Sequence, residues 1–349
     1  MSQIFVAGWG AVSPAGWNVA ALRGALDKGE PLPVQTMARP GWEKPLRARL
    51  VPDPPVRPEF LSHPRLRRTS PVTHYAAAAA LEAVVGLRAN SSANDWRLGI
   101  VVCLQSGCVQ YSCRFYDETL KNPATASPLV FPETVYAAPA SHVAALLENV
   151  VLACSLVGDP SGFLQGVSLG AQWLEEDRVD ACLVIGAEET NWITADALWH
   201  LDRHAIVTAG AGALCLWRES NLSPGVELAA VTDAHTYCAR RTRRQAAAAM
   251  RGQLGKSSPG ELLCDGFGNS PRTDAAELAA WRDWDGPRVS PKRILGEGLM
   301  AAAAWQCVAA CEAVANGRFT AANVSLVGSN QQAIGARFAR ISHLSAGQP

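Results

Sequence analysis

"NVVLACSLVGDPSGFLQGVSLGAQWLEE", Asn149–Glu176, is the stretch that decides the fold. Its first residues, "NVVLA", form an apolar run with the look of a buried strand, and "FLQGVSLGAQWLEE" has the pattern of a helix. Between them lies "SLVGDPSG", Ser155–Gly162. A buried strand that ends in a tight turn into a helix is where many enzymes mount a nucleophile. This turn offers Gly158 and Asp159 at its tip, with no thiol. Aspartate is a favoured helix N-cap and proline a favoured first helical residue, so Asp159 and Pro160 are expected to cap and start the helix.

The same alternation extends in both directions. Upstream, "IFVAGWGAVSP" reads as strand and turn, "NVAALRGALDKG" as a helix ending at glycine, "VTHYAAAAALEAVVGL" as a long helix and "WRLGIVVCLQ" as a strand. Residues 31–68, rich in proline and arginine, read as irregular, and "SHVAALLENV" as a helix. Downstream, "ACLVIGAEE" and "GAGALCLWRE" read as strands, the glycines of the second implying close packing against a neighbour. After residue 220 a second series begins with "VELAAVTDAHT", "RRQAAAAMRGQL" and "ELLCDGFGN". It continues through the helix "GEGLMAAAAWQCVAACEAVANG" and closes on the strand "NVSLVGSN". Two α/β series of one kind predict a pseudo-duplicated fold with buried sheets, divided into halves 1–220 and 221–349.

The 349 residues are 48% hydrophobic and 18% charged, a globular composition with room for a substantial core. The formal net charge is zero, which gives no global pull toward nucleic acid or an anionic membrane. No apolar run is long enough to span a bilayer, and "MSQIFVAGWG" reads as a first strand and not as a signal peptide. The ten cysteines include no Cys-x-x-Cys and no zinc-knuckle spacing, so buried free thiols in the reducing cytoplasm are expected, with no metal and no cofactor.

Taken in order, the motifs resemble those of the β-ketoacyl synthases of the thiolase superfamily. "GWGAVSPAGWNVAALRGALDKGE" is similar to that family's opening and "RLRRTSPVTHYAAAAALEAV" to its second helix. "LVFPETVYAAPASHVAALL" resembles the segment that lines the acyl pocket and dimer interface, with Phe131–Leu147 the best retained part. "GAEE", Gly186–Glu189, and "GAGALCL", Gly210–Leu216, match two strand-end signatures. The resemblance implies a thiolase-like α/β fold of five layers, α-β-α-β-α, built from two similar halves, in a dimer.

The resemblance also assigns catalytic positions. The nucleophilic cysteine falls on Asp159 when "DPSG" is matched, and on Gly158 when counted back from "GAEE". The first histidine falls on Asp265 of "DGFGN", with Asp274 and Glu277 near the family's downstream positions. The second falls on Glu297 of "KRILGE", which keeps Lys292 and Gly296. The family's glycine-rich C-terminal gate is represented by "LVGSNQQAIG".

Condensation requires a thiolate, an oxyanion site and two neutral histidines on the malonyl thioester. A carboxylate at Asp159 would give a mixed anhydride, and ionised Asp265 and Glu297 would repel an enolate. Relatives that decarboxylate without the cysteine keep both histidines, and this chain does not. Three readings therefore stand. The first is a catalytically degenerate subunit, akin to a chain length factor, that pairs with an intact β-ketoacyl synthase. The second is an acyl-substrate enzyme that uses the three carboxylates for acid/base work in one pocket. The third is a homodimeric binding or scaffold protein. Lys292 is placed to neutralise Glu297 or Asp265, and Glu297 to sit at the start of the helix from about Leu299.

Other candidates have plainer alternatives. Arg240, Arg241, Arg243 and Arg244 are either a docking patch for an acidic acyl carrier protein or a solvated helix start. His142 is either a pocket acid/base group or an interface histidine. Cys154, on the strand, and Cys108, in a loop, are the alternative thiols. His200 and His204 have helical spacing but no third metal ligand. Trp173, Trp192, Trp199, Trp217 and Trp305 are expected to fill core and interface space or to close an acyl tunnel.

Overall fold

The computed structural model describes residues 3–90, 96–147, 149–218, 225–255, 258–268 and 270–341. The first half contains β1 (Phe5–Val12), α1 (Val19–Lys28), β2 (Gln35–Met37), β3 (Leu46–Arg49), α2 (Pro71–Asn90), β4 (Leu98–Leu104) and α3 (Val109–Lys121). It continues with α4 (Ala138–Leu147), β5 (Val150–Val157), α5 (Gly162–Glu175), β6 (Ala181–Glu188), α6 (Trp192–Leu201), β7 (Val207–Thr208) and β8 (Gly210–Trp217). The second half contains β9 (Val226–Val231), β10 (His235–Thr236), α7 (Arg243–Leu254), β11 (Glu261–Cys264) and α8 (Pro271–Ala280). It ends with β12 (Arg288–Val289), α9 (Pro291–Leu295), α10 (Leu299–Ala315), β13 (Ala321–Val327) and β14 (Gln332–Arg340). The boundary expected at residues 220 and 221 lies outside the described residues.

The duplication is visible in strand order. The first half runs β5-β4-β6-β8-β1 and the second β12-β11-β13-β14-β9, so both follow the order 3-2-4-5-1. In each, the fifth strand alone is antiparallel: β8 to β6 and β1, β14 to β13 and β9. The remaining neighbours, β4 with β5 and β6, β11 with β12 and β13, are parallel. The two sheets meet edge to edge at β1 and β9, through the pairs Phe5↔Glu227 and Val6↔Val226. The layers follow: α2 and α4 outside the first sheet, α5 and α10 between the sheets, α7 and α8 outside the second.

The central helix α10 is buried along nearly its whole length, as its alanine-rich, all-round apolar sequence requires. The glycines of "GAGALCL" let it approach. A β-carbon on Gly212 would stand 2.7 Å from that of Ala304. Trp305 fills the middle layer and donates its indole N–H to the carbonyls of Val12 and Ala211 at 3.0 and 2.9 Å. Trp173 and Trp217 are likewise buried.

Two expectations need correction. Residues 31–68 are not wholly irregular, because β2 and β3 form a small sheet completed by the distant β7. "NVSLVGSN" does not close the sheet. β14 follows, its Arg337 held by a bidentate pair to buried Glu261 on β11. Cys108 lies in the loop between β4 and α3, as expected, and is buried there as the N-cap residue of α3. No helix among the described residues is long and apolar enough to cross a membrane.

Candidate functional site: a cleft between the halves

The Ser155–Gly162 turn stands where β5 delivers the chain to α5. The helix begins at Gly162, not at Pro160, with Ser161 as its N-cap residue. The tight "DPSG" sequence first makes a chain of short-range bonds: Gly162 N–H to the Asp159 carbonyl at 2.8 Å, and Phe163 N–H to that of Pro160 at 3.3 Å. Asp159 accepts from the Ser161 N–H at 3.1 Å, so it caps the turn that precedes the helix, which starts two residues later than expected. Its Oδ1 also accepts the Ser161 hydroxyl. Its Oδ2 accepts the N–H groups of Asn330 and Gln331 at 3.3 and 3.0 Å. Asp159 is only 3% exposed. Met300 packs against the turn and is buried; a β-carbon at Gly162 would lie 2.9 Å from its methyl group.

Glu297 lies at the start of the other central helix. Its Oε1 accepts the Leu299 N–H at 2.9 Å, and its Oε2 pairs with Lys292 Nζ at 2.9 Å. Burial works to lower the Lys292 ammonium, but the charge and hydrogen bond of Glu297 outweigh it and raise its pKa. Leu299, the first residue of α10, is left-handed (φ 49°), a conformation that costs an L-residue energy and is retained at the lip of the cleft.

Asp265 is fully buried beyond the end of β11. Its Oδ1 accepts the Ser290 hydroxyl at 2.5 Å and the Phe267 N–H at 3.3 Å. Its Oδ2 has no hydrogen-bond partner; the nearest cation, Arg288, is 3.9 Å away. That guanidinium is itself drawn toward the end of α8 by the carbonyls of Trp281 and Trp284. Burial pushes the Asp265 carboxyl up to about 6. Glu277 on α8 accepts from the Gly266 N–H, and burial together with the Asp265 charge pushes it up to about 8. Asn269 of "DGFGN" lies outside the described residues.

Lys292 therefore neutralises Glu297, and it makes no ion pair with Asp265. The three carboxylates do not share one pocket. Asp159 faces Ser161 and the 330–331 amides, Glu297 faces Lys292, and Asp265 faces Ser290, Arg288 and α8. A cleft of about 180 Å³ lies between the halves. Pro160 and Gln105 line it from the first half, and Lys292, Glu297, Ser329 and Asn330 from the second. Of the three acids, only Glu297 lines it.

The other candidates are dispersed. His142 pairs through Nε2 with Glu133 at 2.9 Å, and its Nδ1 has no partner. Arg243, at the start of α7, is the exception: it lines the cleft, donates to the Ser329 carbonyl and stacks 5.1 Å from the Tyr237 ring. Arg241 contacts His235 at 3.3 Å, while Arg240 and Arg244 are exposed. Arg244 lines a separate open groove with Arg251 and Arg282. His200 lies beside Arg39 and Asp196 and is open to solvent. Burial raises the thiols of Cys108 and Cys154, the opposite of what a nucleophile needs.

Sequence reading gave "GAEE" a place but no role. Glu188 is fully buried and accepts the N–H groups of Gln105 and Ser106 at 2.5 and 3.0 Å; burial pushes it up to about 8. Glu189 accepts from the Ser70 hydroxyl and from the N–H groups of Val72 and Gln110. The pair thus pins the loops behind the cleft wall. The signal was present in two adjacent acids at the end of an otherwise apolar strand.

No family model matches the sequence, and no curated protein matches it. Solved structures do match. A ketosynthase/chain length factor for ishigamide has a TM-score of 0.80 at 17% identity, over 98% of this chain and 100% of that one. A β-ketoacyl synthase from Burkholderia phymatum has a TM-score of 0.80 at 16% identity, with the same coverage. A ketosynthase in complex with its chain length factor, from Xenorhabdus doucetiae, has a TM-score of 0.77 at 14% identity, over 97% of this chain and 98% of that one. The chain thus has the mixed α/β, thiolase-like fold of the ketosynthases over nearly its full length.

Proposed function

We propose that this chain is a ketosynthase-like subunit without condensing activity of its own. It acts as the chain-length-factor-type partner of an intact β-ketoacyl synthase in fatty acid, polyene or polyketide synthesis. One observation carries the reading. The position that resembles the nucleophile's holds a buried carboxylate, both of whose oxygens are occupied by donors from the protein itself. Such a group has no lone pair directed at a thioester, and a condensing site needs a thiolate there.

The surroundings support it. Asp265 and Glu297, at the positions that resemble the histidines', have partners of their own and do not converge on a shared substrate position. The cleft is on the scale of a cavity that takes a benzene-sized molecule, too small to house a growing acyl chain by itself. Among the described residues the outer strand β5 pairs only with β4, and its Val151 and Val157 are exposed, as is Tyr136, whose carbonyl accepts the Ser155 hydroxyl of β5. An open edge with apolar side chains is a surface for a partner subunit. Solved ketosynthase–chain length factor assemblies among the structural matches add to this.

Co-expression with an intact ketosynthase tests the proposal. The expected result is co-purification at one copy each, with a change in product length when this chain is deleted. Failure to co-purify, together with unchanged product length, rejects it.

A further inference from the structure

Residues 328–331, between β13 and β14, are held by three clamps from elsewhere in the chain. The Tyr237 hydroxyl donates to the Gly328 carbonyl, and Arg243 donates to the Ser329 carbonyl. The N–H groups of Asn330 and Gln331 donate to Asp159 Oδ2, 171 and 172 residues away in sequence. Ser329, Asn330 and Gln331 are exposed, whereas the carboxylate beneath them is buried.

Four donors converge on that carboxylate: the two strap amides on Oδ2, and the Ser161 N–H and hydroxyl on Oδ1. Successive backbone N–H groups aimed at one oxygen make a concave anion site. Gly328 completes the fit. A β-carbon there would stand 2.1 Å from Oδ2, so the absence of a side chain at 328 leaves room for the carboxylate. The start of α5 lies alongside and favours negative charge.

We propose that residues 328–331 together with Ser161 form a carboxylate receptor, that Asp159 is its resident ligand, and that this internal ligation clamps the two halves of the chain across the cleft. Pro160 stands on one wall and Ser329 and Asn330 on the other, so the clamp sets the distance between the walls. Its operation is independent of whether a ketosynthase partner exists. Arg243 engages the Ser329 carbonyl, and Tyr237 engages the Gly328 and Gln331 carbonyls and the Gln331 N–H, so removal of Asp159 releases the Asn330 amide and leaves those bonds in place.

Amide hydrogen exchange on the full chain tests this. In Asp159→Gly, exchange at Asn330 is expected to be roughly 10- to 100-fold faster than in wild type, the loss of a charge-assisted bond. Sodium formate, which supplies the missing carboxylate, is expected to restore protection in the variant; sodium chloride at equal ionic strength is not. Unchanged exchange overturns the clamp. Equal effects of formate and chloride, or no effect of either, overturn the receptor. Should Asp159→Gly lose its folded circular dichroism spectrum, Asp159→Asn decides. It keeps the volume but offers an acceptor to one side only, so faster exchange at Asn330 or at Ser161 supports the clamp, and unchanged exchange at both overturns it.

Discussion

At the residue scale, the chain holds several buried acids, and those whose carboxyls burial pushes up carry a consequence for pH. Glu277 is the sharpest case. Its carboxyl is pushed up to about 8, so the folded state favours the protonated form. The stability this lends is fully present below the ordinary carboxylate range and is lost as pH rises through about 8. Glutamine keeps an acceptor for the Gly266 N–H and cannot ionise. Glu277→Gln is therefore expected to flatten the fall in urea midpoint between pH 5 and pH 9. Glu188 contributes to that fall in both proteins and cancels in the comparison, whereas Asp265, whose charge acts on Glu277, is part of the difference. An equal fall in the two proteins would contradict the account of Glu277. A second residue-scale expectation concerns Gly328. Gly328→Ala must displace a carboxylate held by four donors, and leaving such donors unpaired costs about 1–3 kcal/mol each. Loss of thermal stability without loss of secondary structure is the expected result, and an unchanged melting temperature would contradict it.

At the scale of elements, much was legible. The apolar run into "GDPSG" gives β5 and α5, because a buried strand, a turn and a helix each leave a periodic mark. What escaped depends on distant partners. Strand β14 carries an arginine amid small residues, a weak strand pattern until Glu261 and Asn323 are seen to receive it. β2 and β3 are short, and they are recognisable only beside β7. Asp265 and Glu297 could be placed in the chain but not in space. Whether they meet is decided by which helix each faces, α8 for one and α10 for the other. Strand β5 carries its own prediction. Lysines on an open edge disfavour pairing with another strand. Val151→Lys with Val157→Lys should leave the fold intact, since both side chains are more than half exposed. It should weaken association with a partner subunit at least tenfold in sedimentation experiments, and unchanged association would remove β5 from the interface.

At the scale of the whole molecule, two halves of identical strand order face each other through α5 and α10. Pro160, two residues before α5, and Leu299, the first residue of α10, border the same cleft, and the carboxylates beside them, Asp159 and Glu297, are bound by the protein. On the proposed reading, a ketosynthase-like architecture keeps this cleft while Asp159 fastens the halves. The most direct test is intact-mass and peptide analysis of the isolated chain after incubation with acyl and malonyl thioesters, alone and with an intact ketosynthase. The account expects no acyl adduct on the peptide containing Asp159 and no carbon dioxide release by the chain alone, with acylation confined to the ketosynthase in the mixture. An adduct on Asp159, or carbon dioxide release that disappears in Asp265→Asn or Glu297→Gln, would contradict it.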